Sequence, residues 1–203
     1  MVQQVQQNVG VSGYGKTLAG ARIAIIEARF YHEIADALAK GAIEEIEAAG
    51  ASYERFSVPG ALEIPQVLSL LTEANMIQRA DYGIPRGSAG FIAGAAGSAS
   101  ALADATPPSA FDGAIALGCV IRGETSHYET VCDNTNHFWM QLAIARNIPV
   151  GNGILTVESA GQAWARADGG RKGKGGDAAR ACLGLIALRR GLNSRAMAER
   201  ERR

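Results

Sequence analysis

Apolar positions along this chain fall into two alternating patterns. Short β-branched or apolar runs at Arg22–Phe30 (RIAIIEARF), Ser52–Val58, Ala114–Ile121 (AIALGCVI) and Pro149–Val157 (PVGNGILTV) read as strands. Between them the apolar residues recur at helical spacing. Ile34, Leu38, Ala42 and Ile46 step by four, and Gly50 closes that helix. Pro59-Gly60 turns the chain after the second run, and Ile64–Leu71 predicts a further helix. His127–Arg146 predicts a long helix, and Asp177–Leu192 a final one of mixed alanine, leucine and arginine. The order is β-α-β-α-β-α-β-α. It predicts an α/β domain, an open parallel sheet with helices on both faces joined by right-handed crossovers. The third run is apolar almost throughout, as a strand buried on both faces requires.

The pattern fails at three places. Residues 1–20 are polar and without a clear period, so they read as an extended or mobile arm before a domain spanning 21–192. The end, 193–203, carries RAMAERERR and reads as a charged tail. Residues 75–110 contain GIPRGSAGFIAGAAGSASALADATPP, far longer than the roughly 4–6 residues typical of such a connection. That segment reads as an insertion, either flexible or carrying a weak helix over Ser98–Ala105. A helix-to-strand connection lies at the sheet edge opposite the ligand-binding edge, which places it remote from its own subunit's site.

Composition narrows the function. A chain of 203 residues fits one domain with a single large core. Twenty basic and twenty acidic side chains cancel, with a pI near 6.8, which removes the electrostatic case for nucleic acid or an anionic membrane. The expected ligand is small. Cys119, Cys132 and Cys182 are an odd number scattered through apolar segments, suited to reduced core thiols rather than disulfides. The first residues lack the pattern of a secretory signal and no segment reaches the ~20 apolar residues of a membrane span, so a cytoplasmic protein is expected. No His, Cys, Asp or Glu cluster has metal-ligand spacing, and GAIALG is too loose for a dinucleotide fingerprint.

Ligands in open α/β sheets bind beyond the carboxyl ends of the strands, so Ala28–His32, Val58–Glu63 and Arg122–His127 are expected to converge on one pocket. Phe30 and Tyr31 offer aromatic faces, Pro59-Gly60-Ala61 offers close-approach backbone, and Glu63 offers a hydrogen-bond acceptor. Gly123 permits a tight turn, and the amides of Glu124, Thr125 and Ser126 at a helix start suit a phosphate. His127 stands beside them, and an ordinary imidazole, titrating near pH ~6.5, both gives and accepts a proton at cellular pH.

The same residues admit plainer roles. Thr125 or Ser126 serves equally as an N-cap, with Glu129 completing a capping box, and capping and phosphate binding coexist. Taken alone, His127 reads as a surface histidine and Phe30 as core. His32 and His137 keep that plain reading. Arg166 reads alone as a solvated helix-end cation, and Arg171-Lys172-Gly173-Lys174 as a solvated loop or a polyanion patch. Cys132 lies five residues from His127, on a different helix face, which argues against a thiol nucleophile.

Taken together and in this order, ARF, SVPGALEIP, FDGAIALGCVIRGETSHYETVC, IPVGNGILTVES and RADGGRKGKGGDAA resemble the successive signatures of the 6,7-dimethyl-8-ribityllumazine synthase family of riboflavin biosynthesis. The resemblance covers residues 21 to about 190 outside the insertion. It implies a three-layer α/β/α sandwich, flavodoxin-like, with a four-stranded parallel sheet. It further implies homopentamers, built in some members into a hollow icosahedral shell, with the active site between neighbouring subunits. The implied reaction condenses 5-amino-6-(D-ribitylamino)uracil with 3,4-dihydroxy-2-butanone 4-phosphate, giving the lumazine, phosphate and water without metal or redox cofactor. A functional link to riboflavin synthase is implied as well.

Carried over by position, His127 matches the family's general acid/base, and Phe30 the aromatic that stacks on the pyrimidine. Ala61, Leu62 and Glu63 match the loop that holds the ring and ribityl chain, and Cys119, Val120 and Ile121 a strand edge against the ring. Glu124 and Thr125 match the turn that holds the phosphate substrate, and Arg166 the phosphate-binding arginine. Asn152 departs from the pattern, standing where many relatives place an aromatic that reaches into the neighbour's site. Tyr31 stands where a smaller polar residue is common, and the basic residues of the glycine-rich loop are shifted, which leaves open whether Arg171 or Lys172 assists Arg166. The competing readings are a non-catalytic flavin or lumazine carrier, a structural shell protein of the same fold, and a module for another sugar phosphate.

Overall fold

The structure, a computed structural model, describes residues 15–77 and 110–202. Most of the N-terminal arm, most of the long connection and its expected helix over Ser98–Ala105 lie outside the described residues.

A short helix α1 (Gly15–Leu18) leads into β1 (Arg22–Ala28), α2 (His32–Ala48) and β2 (Ser52–Val58). A single 3-10 turn at Ala61–Glu63 opens α3 (Ile64–Glu73). Then follow β3 (Gly113–Ile121), α4 (His127–Arg146), β4 (Val150–Val157), α5 (Ala160–Ala167), a 3-10 turn at Gly170–Lys172 and α6 (Lys174–Glu201). The strands form one sheet in the order β2-β1-β3-β4, every pair parallel. All but the last two residues of β3 are buried, matching the expectation from its unbroken apolar run.

Side-chain alternation along the strands divides the core into two layers. Ile23, Ile25, Ile115 and Leu117 point to one face, against Ile34, Leu38 and Ile46 of α2 and Leu183 and Ile186 of α6. Ala24, Ile26, Ala114 and Ala116 point to the other, against Leu68 of α3 and Trp139 and Ala143 of α4. Each fully buried isoleucine or leucine contributes roughly 1.5–3 kcal/mol. These two layers around one sheet make the three-layer α/β/α sandwich. Leu18, counted by sequence with the arm, belongs to the first layer and is fully buried.

The first layer is packed closely enough to need glycine. A Cβ at Gly151 of β4 would meet the Ala178 carbonyl oxygen of α6 at 2.0 Å, and one at Gly175 would meet the Leu38 carbonyl oxygen of α2 at 1.9 Å. These glycines let α6 lie directly on the sheet and on α2.

Three expectations need correction. The helix α5 is absent from the eight-element pattern. It spans only eight residues, and its start is marked by a reciprocal cap in which Ser159 Oγ accepts from the Gln162 amide at 3.3 Å and Gln162 Oε1 accepts from the Glu158 amide at 3.1 Å. The final helix begins three residues earlier than expected and continues to Glu201, because Ala, Met, Glu and Arg have high helix propensity even without an apolar stripe. The basic run is not simply solvated, since Arg171 is paired with the buried Glu45 of α2, which Arg180 also reaches.

Candidate active site

Sheet order reverses between β1 and β3, whose chains leave toward opposite sides, and a crevice opens beyond their carboxyl ends. There the structure has a cleft of about 390 Å³. The three exits expected from sequence converge on it. Phe30 and Tyr31 form one wall, Gly60–Glu63 a second, and Cys119, Val120 and Ile121 the floor. Gly123, Thr125 and His127 close the third side.

The exit of β1 is anchored by the Arg29 amide, which donates to the Val58 carbonyl at 2.9 Å and carries the parallel pairing one step beyond the sheet. Phe30, next in the chain, is 71% exposed, and its ring meets Tyr31 edge-on at 5.0 Å. An exposed ring held by a neighbour is suited to stacking rather than to the core. On the second wall Glu63 precedes α3 and its carboxylate lies over Gly60, where an added Cβ would meet Oε2 at 3.0 Å.

On the third side Ser126 occupies the N-cap position of α4, but its side chain makes no capping bond. The capping box expected as a plain role does not form, because the Glu129 carboxylate pairs with Arg122. Instead the His127 amide donates to Thr125 Oγ1 at 3.4 Å, a bond within the turn itself. His127 starts the helix, is exposed, and faces the cleft. Helix-start amides beside it retain the donors a phosphate needs.

The thiols are held protonated. Burial pushes Cys119, on the floor, up to about 11 and raises Cys132 as well, which agrees with leaving Cys132 out of the chemistry. Among the described residues no group of three or more His, Cys, Asp or Glu side chains is gathered to hold a metal ion. No described helix is long and apolar enough to cross a membrane.

Three assigned residues do not line this cleft. Glu124 lies between Gly123 and Thr125 and is exposed, but is not among the residues that line the cleft. Asn152 sits midway along β4, where its amide donates to Asn136 Oδ1 of α4 at 2.6 Å and its own oxygen accepts from the Ile154 amide at 3.0 Å. Arg166 is exposed on α5 and donates to the Gln162 carbonyl at 3.0 Å. Tyr128 and Val131, by contrast, line the cleft and were not singled out from sequence. The spacing of Val131, one helical turn after His127, was the available signal.

A parallel α/β domain whose strand-end cleft joins an exposed aromatic wall, a helix start and an exposed histidine has the form of a small-molecule site. Comparison with known proteins narrows the class. A family model described as 6,7-dimethyl-8-ribityllumazine synthase matches residues 20–88 and 92–190. A protein of Rhodopseudomonas palustris named 6,7-dimethyl-8-ribityllumazine synthase 1 is 43% identical over 175 residues, covering 86% of this chain and 90% of that protein. Proteins named 6,7-dimethyl-8-ribityllumazine synthase from Methylorubrum populi and Nitrobacter hamburgensis are 43% and 41% identical, covering 88% and 86% of this chain and 88% and 90% of their own. The chain belongs to the 6,7-dimethyl-8-ribityllumazine synthase family.

Proposed function

We propose that this chain condenses 5-amino-6-(D-ribitylamino)uracil with 3,4-dihydroxy-2-butanone 4-phosphate to 6,7-dimethyl-8-ribityllumazine, the penultimate step of riboflavin biosynthesis, in the cytoplasm. The observation that carries this reading is the convergence of Phe30, the Ala61–Glu63 turn, the Cys119–Ile121 edge and His127 on one cleft. The family's motifs assign these same positions to the pyrimidine and to proton transfer.

The geometry suits the chemistry step by step. The flat pyrimidine stacks on Phe30 and hydrogen-bonds along the strand edge at Cys119–Ile121, while Ala61, Leu62 and Glu63 receive the ribityl chain. The substrate's own amine attacks the ketone and water leaves as the imine forms. Phosphate is then eliminated, the product tautomerises, and ring closure on the second carbonyl releases a further water. Each of these steps moves protons and none needs a protein nucleophile, consistent with thiols kept neutral. His127 gives and takes those protons, a role worth typically ~10²–10⁴-fold. Thr125 and the adjacent amides, with Glu124, hold the phosphate-bearing substrate, and Arg166 stabilises charge building on the leaving phosphate.

Arg166 and Asn152 stand outside their own subunit's cleft, which supports a site completed by a neighbouring copy in a homopentamer. Exposed apolar residues such as Phe138 and Ile144 on α4 are suited to such contacts. The test is to mix both substrates with the purified protein and follow lumazine fluorescence. Formation above the uncatalysed rate supports the enzyme. Binding of lumazine without acceleration would make the protein a carrier.

A further inference from the structure

Outside the residues assigned above, the strongest feature is an ion-paired arginine at the exit of β3. The Arg122 amide donates to the Val157 carbonyl at 2.9 Å, which fixes its backbone against the end of β4. From there its guanidinium meets three groups. It pairs with the Glu129 carboxylate on the first turn of α4, and its Nε lies 2.8 Å from Glu158 Oε2 just past β4. Its Cζ also lies 4.1 Å from the centroid of the Tyr128 ring. Tyr128 and Glu129 are the two residues that directly follow His127. The contact therefore closes a loop of chain from 122 to 129, with the anion turn and His127 inside it.

The loop's other restraints are local: the Thr130 hydroxyl and amide donate to the Ser126 carbonyl at 3.5 and 3.3 Å, and the Tyr128 side chain is hydrogen-bonded to Thr156 and Cys132. Ser126 makes no capping bond, the side-chain bond to the His127 amide comes from within the turn, and the space around Gly123 is open. A helix start whose one side-chain cap is the long Thr125 bond to the His127 amide frays more readily than a fully capped one. A single exposed ion pair would restrain it weakly. A planar guanidinium engaged at once by two carboxylates and a ring face is directional, and it sets the rotation of the first turn. The bond with Glu129 raises Arg122 above its ordinary value, and the same bond lowers Glu129, so the pair stays ionised through neutral pH. Arg122 itself does not line the cleft, whereas His127 and Tyr128 do.

We propose that Arg122 is a positioning residue for the condensation. By gripping Glu129 and Tyr128 it holds the first turn of α4 so that His127 faces the substrates. Its charge is taken up by two carboxylates of its own chain, so its part is to place His127 rather than to bind phosphate. The catalytic half of this inference rests on the function proposed above. The structural half does not.

The test compares wild type with Arg122→Gln, Glu129→Gln, the double variant and Arg122→Lys, each read by hydrogen exchange and by steady-state kinetics. In Arg122→Gln the amides of Thr130, Val131 and Cys132 exchange severalfold faster while those of β1 and β3 are unchanged. The kcat falls on the order of 10–100-fold with both KM values retained, as expected for a misplaced acid/base group. The double variant loses no more than the worse single one, because the two side chains act as one contact. Arg122→Lys keeps the charge without the planar fork and recovers only part of kcat. Unchanged exchange at 130–132 would overturn the clamp even if the wild-type protein proved inactive. A raised KM for the phosphate substrate with kcat retained would make Arg122 a substrate ligand and overturn the proposal, as would additive losses in the double variant.

Discussion

Arg171 and Glu45 are joined by two bonds, Nε to Oε1 at 3.1 Å and Nη2 to Oε2 at 3.2 Å, and Glu45 is only 3% exposed. Arg180 reaches the same carboxylate from α6. One buried acid thus fastens α2 to the loop and helix that follow α5. Replacing Glu45 with Gln leaves two arginines short of their partner and is expected to cost about 1–3 kcal/mol. Urea unfolding checks it, and the midpoint falls while the slope stays the same.

The same contact separates the two arginines that sequence left entangled. Arg171 is engaged with Glu45, whereas among the described residues Arg166 makes a local bond to the Gln162 carbonyl of its own helix. Arg166→Ala is expected to raise KM for the phosphate substrate about 10–100-fold, the size of a lost charge-assisted bond. Arg171→Ala lowers stability and leaves that KM near wild type. Substrate-saturation curves on the two variants distinguish them.

Why Arg171 could not be placed from sequence illustrates how far the sequence reached. The strand runs and the Ile34–Ile46 stripe were legible because burial imposes a period on them. The cleft follows from one rule about strand ends, which brings Phe30, Ala61 and His127 together. Side chains whose role lies in a long-range polar partner were not legible. Arg171 and Glu45 are 126 residues apart, and Arg122 finds Glu158 across the β3–β4 seam, so neither pairing leaves a local pattern. The helix α5 was missed for a different reason, since eight residues give too few turns for a period to emerge.

Close packing makes a second stability prediction. An alanine at Gly151 would place its Cβ 2.0 Å from the Ala178 carbonyl oxygen, so α6 must shift from the sheet, at a cost of about 1–3 kcal/mol. Gly123→Ala meets open space and is expected to leave the thermal midpoint unchanged. Thermal melts of the two variants side by side check the contrast.

Alkaline stability follows from the thiols. Burial holds Cys119 protonated up to about 11 and Cys182 up to about 12, while an unfolded thiol loses its proton near 9.0. Above that value the folded chain binds more protons than the unfolded one, so stability falls as pH rises from about 9 toward 11. Below it these groups contribute no slope. Urea midpoints measured between pH 8 and 10.5 decline more steeply for wild type than for Cys182→Ala.

The central claim is that His127, at the start of α4 and facing the cleft, moves the protons of a two-substrate condensation. It is tested most directly by single-residue replacement in the lumazine fluorescence assay. His127→Ala is expected to lower kcat by about 10²–10⁴-fold while the circular dichroism and thermal midpoint stay at wild-type values. Wild-type kcat in a correctly folded His127→Ala protein would contradict the account.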